Sequence, residues 1–293
     1  MTSANQKAVG EPLVDVLESA SGLDSPAKAV GKFVRGLIGP GELKDALAGT
    51  WLGHALHPLL TDVVIGSFTS ATLLDLLGGD DDGRAAERLI AVGIAAYGPT
   101  AATGVTDWAD TEIADPAVRR VGLVHAATNA TALTLYGTSL AARRAGAHGR
   151  GKLLSLAGAA TLAVGGYLGG HMSYRRGVGP NQTAFDPGPD DWKPAVDGSQ
   201  LVDGRPVSVV VDETPVFLLR HGNHLHALHD RCSHRGCSLA GGDVEGEAIV
   251  CPCHGSTFSL GNGSVERGPA TSGQPVFDAR ESDGRVEVRL RSG

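Results

Sequence analysis

The pattern of apolar and polar positions divides the chain into regions of different character. Residues 51–172 are rich in apolar and small side chains, whereas the regions on either side are polar. The apolar stretches predict four long helices, near Leu56–Leu77, Leu89–Thr106, Val121–Ala142 and Leu153–Met172. The last three each offer about 18–20 residues without a formal charge, enough to cross a bilayer. Asp62 and Asp75 interrupt the first.

A soluble four-helix bundle is the alternative. Its helices would carry a charged residue every three or four positions along the exposed face. The last three stretches carry no such stripe, and their glycine, alanine, serine and threonine residues permit close packing in lipid. The pattern therefore predicts an N-terminal four-helix transmembrane bundle.

The polar N-terminal region, residues 1–50, is predicted to be partly disordered, at Met1–Gly10, and partly an amphipathic helix. That helix starts at Ser25-Pro26 and places Phe33 and Leu37 on one face and Lys28 and Lys32 on the other. Such a helix lies on an anionic membrane surface or, alternatively, packs on its own protein. The polar start predicts no secretory signal peptide.

The C-terminal region alternates apolar and polar residues, which predicts antiparallel β-structure. The predicted strands are Val207–Val211, Val216–Leu219, Ala248–Cys251, the region of Phe277, and Arg285–Leu290, with turns at Gly222-Asn223, Asn262-Gly263 and Asp283-Gly284. A stretch rich in proline and glycine, residues 173–193, is predicted to be a linker. The fold class is therefore α+β multidomain, with a membrane domain at 51–172 and a β domain at 194–293. The net charge of −7 gives no general basic surface, so no nucleic-acid partner is expected.

Two short boxes in the β region contain all four cysteines of the chain. They read C-S-H-R-G-C, from Cys232 to Cys237, and C-P-C-H-G-S, from Cys251 to Ser256. Each box pairs a cysteine with a histidine: Cys232 with His234, and Cys251 with His254. Two thiolates and two imidazoles form a metal site by composition. Zinc is one reading, although zinc motifs usually place like ligands together.

These boxes resemble those of the Rieske family, from about Asp191 onward. The resemblance implies a [2Fe-2S] cluster with Cys232 and Cys251 on one iron and His234 and His254 on the other, facing solvent. It further implies a disulfide between Cys237 and Cys253, as in the disulfide-bearing subgroup.

The same resemblance assigns cofactor-binding roles to Gly255, Ser256, Phe258 and Pro269. Ser256 matches a serine that donates a hydrogen bond to a bridging sulfide, and Pro269 belongs to a proline loop that covers the cluster. Phe258 stands where high-potential members carry tyrosine. Because phenylalanine cannot donate a hydrogen bond, a lower reduction potential is expected.

Three motifs in the helical region resemble a bacterial family of predicted four-helix membrane proteins of unassigned function. They are G-H-A-L-H-P-L-L at Gly53–Leu60, T-D-W at Thr106–Trp108 and G-G-H-M-S-Y at Gly169–Tyr174. With four spans, one set of ionisable residues gathers at a single depth: His54, His57, Asp107, His125 and His171. One hypothesis is that they hold a haem b, a metal or a quinone headgroup. The other is a network of hydrogen bonds between helix ends.

A further run of histidines, His221, His224, His226 and His229, precedes the first box. Alternation along a strand or turn explains most of this run, and we predict no metal there.

The function that these observations predict is membrane-anchored transfer of single electrons through the cluster, rather than stand-alone catalysis. The expected partners are a redox protein or the quinone pool, and membrane lipid. A membrane-bound redox sensor and a tethered, ferredoxin-like donor to an oxygenase are the alternatives. The predicted location is the cell membrane, multi-pass, with the cluster domain on the cytoplasmic face.

Overall fold

The computed structural model describes residues 10–79 and 82–291. The chain divides into two compact units, each described here by itself. One comprises residues 10–38 and 56–178, and the other comprises 39–55 and 179–291. The predicted disorder of the first nine residues lies outside the described residues, as do Asp80 and Asp81.

Seven helices are described before the β-strands begin. They are α1 (Glu11–Ser19), α2 (Asp24–Leu37), α3 (Glu42–Ala48), α4 (Leu56–Leu77), α5 (Gly83–Thr111), α6 (Pro116–Arg144) and α7 (His148–Gly170). A π-helical turn, His171–Arg175, continues α7. Asp115 caps α6 by accepting hydrogen bonds from the N–H groups of Ala117 and Val118, with Pro116 in the first turn.

The four long helices lie where the apolar pattern predicts them, and α5 and α6 extend further at both ends. Helix α4 packs against α5 and α7, and α6 packs against the same two helices. In the shared core the rings of Phe68 and Tyr136 stack with centroids 4.0 Å apart. The Tyr136 hydroxyl lies 2.9 Å from that of Thr72, so the buried phenol has a polar partner.

Three helical segments are long and apolar enough to cross a membrane: α4, α5 and His148–Arg175. Within the described residues, α6 is not in that set. Its ends carry two arginine pairs, Arg119-Arg120 and Arg143-Arg144. The helical region therefore provides three candidate spans, one fewer than predicted.

Asp75, which interrupts the first predicted span, forms a buried ion pair with Arg143. The two side chains are 2% and 1% exposed, and Arg143 also donates to the Ser139 hydroxyl at 3.2 Å. A charge buried among helices requires such a partner, because an isolated one is costly to desolvate. The carboxylate thus joins α4 to α6.

The N-terminal helices α1 and α2 pack on the long helices of their own unit. Helix α2 buries Ala27, Gly31 and Val34, while Phe33 and Leu37 are each 69% exposed. Arg35 donates to the buried Glu112 carboxylate at 2.7 Å. The amphipathic helix therefore packs on its own protein along one side and leaves apolar side chains exposed on another.

The second unit is built from ten strands. They are β1 (Lys193–Asp197), β2 (Val207–Val211), β3 (Thr214–His221), β4 (His224–His229), β5 (Asp243–Glu245), β6 (Ala248–Val250), β7 (Thr257–Ser259), β8 (Val265–Arg267), β9 (Val276–Ser282) and β10 (Arg285–Leu290). They form a six-stranded sheet in the order β1-β10-β9-β4-β3-β2 and a four-stranded sheet in the order β5-β6-β7-β8. Every pairing between these strands is antiparallel, as predicted.

Strand β3 is buried on both faces, which explains its nearly continuous apolar sequence. Val216 and Leu218 contribute to one core. Phe217 and Leu219 contribute to the other, which also contains the buried thiols of Cys232 and Cys251. Cys232 and Cys251 therefore lie inside the hydrophobic core of the unit.

Part of the segment predicted as a linker packs on the β unit. Gln182 donates its backbone N–H to the Ser233 carbonyl at 3.0 Å, and Leu290 donates to the Pro189 carbonyl at 2.7 Å. Asp186 accepts from the Thr214 hydroxyl. These residues are fixed because the β unit supplies partners for their polar groups.

Candidate metal centre

The two cysteine boxes form loops with matching backbone hydrogen bonds. In the first loop, Cys232 N–H donates to the Cys237 carbonyl at 2.7 Å, and Gly236 N–H donates to the Cys232 carbonyl at 2.8 Å. In the second loop, Cys251 N–H donates to the Ser256 carbonyl at 2.8 Å, and Gly255 N–H donates to the Cys251 carbonyl at 3.1 Å. Gly236 and Gly255 have φ values of +78° and +79°. Only glycine adopts this conformation without strain, so it closes each loop.

The loops bring two thiols and two imidazoles together. Cys232 and Cys251 hydrogen-bond to each other, which raises the pKa of Cys232 and lowers that of Cys251 to about 7. Backbone N–H groups of Cys253 and His254 also stabilise the Cys251 thiolate. The rings of His234 and His254 lie edge to face with centroids 5.1 Å apart.

The protonation state of His234 suits metal binding. Burial is the main cause that holds the pKa of His234 well below its usual range, and the positive charges of Arg235, His254 and Lys44 act in the same direction. His234 is therefore the neutral imidazole that a metal requires. Two buried thiols outside any disulfide and two half-buried imidazoles fit a centre whose sulfur side is inside and whose nitrogen side is near the surface.

A disulfide joins the tips of the two loops. Cys237 and Cys253 are bonded, with Cα atoms 6.5 Å apart. The predicted pairing is confirmed. The bond fixes one loop against the other and so restricts the separation of the four donor residues.

The residues assigned to the cofactor by resemblance surround these loops. The buried Ser256 hydroxyl accepts a hydrogen bond from Ala270 N–H at 3.0 Å, so its own proton remains available for another acceptor. Ala270 follows Pro269 in the proline loop. Phe258 is fully buried in the same core as Cys232 and Cys251. The roles of Gly255, Ser256, Phe258 and Pro269 toward a cluster remain predictions.

Two buried polar residues that no sequence pattern indicates support the first loop. The Gln274 amide accepts from Ser233 N–H at 3.0 Å and donates to the carbonyls of His229 and Arg231 at 3.1 and 3.0 Å. No pattern in the sequence marks this glutamine.

The second of these residues is Asp230, whose carboxylate accepts three hydrogen bonds. The donors are the hydroxyls of Ser208 and Ser238, at 2.7 and 2.6 Å, and the N–H of Ala240, at 2.8 Å. Asp230 directly follows β4 and lies two residues before Cys232. That position is the only sequence signal for its role.

A segment from before the long helices, residues 39–55, lies against the second loop and the proline loop. The Thr50 hydroxyl donates to the Ala270 carbonyl at 3.2 Å. A Cβ added at Gly268 would lie only 2.2 Å from the Thr50 hydroxyl oxygen, so the Thr50 side chain packs directly against the backbone at Gly268. Lys44 is 4% exposed and acts electrostatically on His234. This segment therefore forms part of the wall around the centre.

The structure gives different partners to the five ionisable residues predicted to meet at one depth of the helices. His54 is exposed and belongs to the unit of residues 39–55. His171 contacts Glu18 at 2.8 Å. The structure brings His57 and His125 near enough for their charges to interact. Asp107 has a polar or electrostatic partner of its own.

His57 and His125 each bond to a backbone carbonyl of a neighbouring helix. Their Nδ1 atoms lie 3.0 Å from the Thr100 oxygen and 2.9 Å from the Gly165 oxygen. Since a carbonyl only accepts, both Nδ1 atoms donate. The contacts fit the hydrogen-bond network hypothesis, and the haem or quinone hypothesis stays a prediction.

Comparison with known proteins places two families along the chain. The family model of the Rieske [2Fe-2S] domain matches residues 191–278, and one described as a predicted membrane protein, DUF2231, matches residues 53–182. Both matches fall where the motif resemblances lie.

Curated relatives match the β unit. The ferredoxin subunit of anthranilate 1,2-dioxygenase from Burkholderia cepacia is 31% identical over 100 residues, which are 34% of this chain and 93% of that protein. Ferredoxin CarAc from Metapseudomonas resinovorans is 33% identical over 78 residues, 27% of this chain and 73% of that protein. Among solved structures, the ferredoxin of carbazole 1,9a-dioxygenase from Nocardioides aromaticivorans IC177 is 24% identical, with a TM-score of 0.33 over 35% of this chain and 100% of that one.

Proposed function

Because the chain belongs to the Rieske [2Fe-2S] family, we propose that it is a membrane-anchored carrier of single electrons. The observation that carries the proposal is the convergence of Cys232, Cys251, His234 and His254 on two disulfide-joined loops. A bound [2Fe-2S] cluster supplies a reversible one-electron couple at such a site. The thiols lie in the core, whereas the imidazoles are half-buried. Electrons therefore enter and leave on the imidazole side.

The acceptor that we favour is an oxygenase component. The relatives named above are ferredoxins, one of them described as a dioxygenase subunit, and the matched region covers 93% of that subunit's length. In this role the chain passes one electron from its reduced cluster to the acceptor and is then reduced again by a separate donor.

The anchor is the helical unit, which we propose to be inserted as four spans. Three segments have the required length and composition, and the Asp75–Arg143 pair supplies mutual neutralisation of charge for α6. We place the cluster unit on the cytoplasmic face, as the basic residues Lys28 and Lys32 near the first span suggest. The test of insertion is to wash isolated membranes with alkaline carbonate. Release of the protein into the wash would contradict insertion.

The test of electron transfer uses the detergent-purified full-length chain with its cluster. After chemical reduction and removal of excess reductant, we expect rapid one-electron reoxidation by a Rieske oxygenase component, followed by absorbance and EPR. Repeated turnover under a constant supply of reductant supports a carrier. A redox change that occurs once, slowly and with a shift in conformation supports a sensor, and faster exchange with a quinone analogue than with the oxygenase supports a quinone-linked role.

Phe258→Tyr tests the expected effect of this position on the reduction potential. A phenol at this buried place would donate a hydrogen bond to a cysteine sulfur and stabilise the reduced, more negative state. A net gain of about 1 kcal/mol corresponds to an increase of roughly 40 mV for a one-electron couple. Redox titration followed by EPR measures the potential. Phe185→Tyr, at a 96% exposed phenylalanine, is the control, and equal potentials in the three proteins would refute the assignment of Phe258.

A further inference from the structure

Three histidines share one face of the β3–β4 hairpin. His221 pairs with His224 across the two strands, and Leu219 pairs with His226. Since residues two apart in a strand face the same side, and paired residues face the same side as each other, all three imidazoles lie on one face. It is the face that carries Leu219, whose core also holds the cluster cysteines.

A carboxylate from a distant part of the chain joins two of these histidines. Glu247 lies in the turn between β5 and β6, in the four-stranded sheet. The ligand atoms of His221, His226 and Glu247 all lie within 4.8 Å of one another. Alternation along a strand explains why the histidines share a face, but it does not explain why the Glu247 carboxylate lies beside two of them.

The backbone of Leu260 bonds to two members of this group, His226 and Glu247. Its carbonyl lies 3.1 Å from Nδ1 of His226, and its N–H donates to the Glu247 carbonyl at 2.8 Å. Because the Leu260 carbonyl can only accept, Nδ1 of His226 carries the proton. Nε2 then keeps its lone pair, which is the arrangement found in metal-binding histidines.

In place of the expectation of no metal at this run of histidines, we propose that His221, His226 and Glu247 form a second metal site, for a divalent transition-metal ion of the zinc type. Two imidazoles and one carboxylate suit such an ion, whereas magnesium and calcium take oxygen ligands. The remaining coordination positions are open to water. The half-buried imidazoles keep the site within reach of solvent.

The bound ion joins two parts of the cluster unit. His221 and His226 belong to the six-stranded sheet, and Glu247 precedes β6, which leads directly to Cys251. The ion therefore links the sheet behind the centre to the hairpin that carries the second cluster loop. None of its ligands is a ligand of the cluster, so the two sites are chemically separate.

The test is a titration of the oxidised, cluster-containing full-length chain with ZnCl₂, by isothermal titration calorimetry. We expect one ion per chain in the wild type. His221→Gln and Glu247→Gln should each weaken binding by about tenfold or more, because removal of a ligand should cost at least as much as removal of a residue that only hydrogen-bonds to a ligand. His148→Gln removes an exposed histidine of the helical unit and should leave the affinity unchanged.

Two further measurements separate this site from the cluster. The Zn K-edge absorption spectrum should show nitrogen and oxygen neighbours, and the visible absorbance of the cluster should persist throughout the titration. Zinc should also raise the midpoint of thermal unfolding of the wild type but not that of His221→Gln or Glu247→Gln. Equal zinc affinity in the wild type and both of these variants, or sulfur atoms as the neighbours of zinc, would overturn the proposal.

Discussion

Replacement of Cys251 by serine yields a chain that lacks the visible absorbance of the cluster and, after reduction, its EPR signal. Cys251 is buried, and backbone N–H groups from Cys253 and His254 stabilise its thiolate. A serine hydroxyl ionises far less readily than a thiol and is a harder ligand than iron–sulfur clusters take. Iron should fall from about two atoms per chain toward none.

The control for this experiment is another cysteine change in the same loops. Cys237→Ala with Cys253→Ala removes the disulfide but none of the four donors, so the purified protein should retain iron and colour. Circular dichroism should show that the serine variant keeps its helices. A Cys251→Ser chain with the iron content of the wild type would contradict the assignment of the centre.

The same double variant gives the second large effect, on stability. The disulfide spans 16 residues of sequence, and the loss of such a crosslink costs about 3 kcal/mol in the chain-entropy account. We expect the midpoint for bleaching of the cluster by guanidinium to fall, because the two loops then separate more readily.

Reduction of the wild type provides an independent comparison. Wild-type protein treated with a thiol reductant should bleach at the midpoint of the untreated double variant, and the double variant should not respond to the reductant. The use of two alanines avoids a single unpaired thiol that forms adducts. Identical midpoints for oxidised wild type and double variant would show that the bond does not stabilise the loops.

The elements that follow from local pattern are those that the sequence predicts best. The long apolar runs locate α4 to α7, and two strands, Val207–Val211 and Arg285–Leu290, match their predicted bounds. The helix ends extend further because the apolar pattern excludes charged residues, whereas a helix continues through them to a cap such as Asp115. Asp75 interrupts the pattern for the same reason, although in space Arg143 neutralises it.

Features that depend on contacts between distant residues could not be predicted. The cysteine boxes reveal the donors, because ligand type and spacing are written in adjacent residues. Gln274 holds the first loop from 41 residues away, and Glu247 lies near His221 because the fold brings the turn before β6 close to the end of β3. Both are ordinary polar residues in the sequence, and their roles arise from the folded backbone around them.

The grouping of residues 39–55 with the cluster unit has a mechanical consequence. The chain passes between the two units at three places, near residues 38, 55 and 178. A unit attached by one flexible linker samples a wide range of orientations, and each additional covalent connection narrows that range. We therefore expect electron exchange to occur when partners diffuse to His234 and His254. Large movements of the cluster unit between two stationary partners should not be needed.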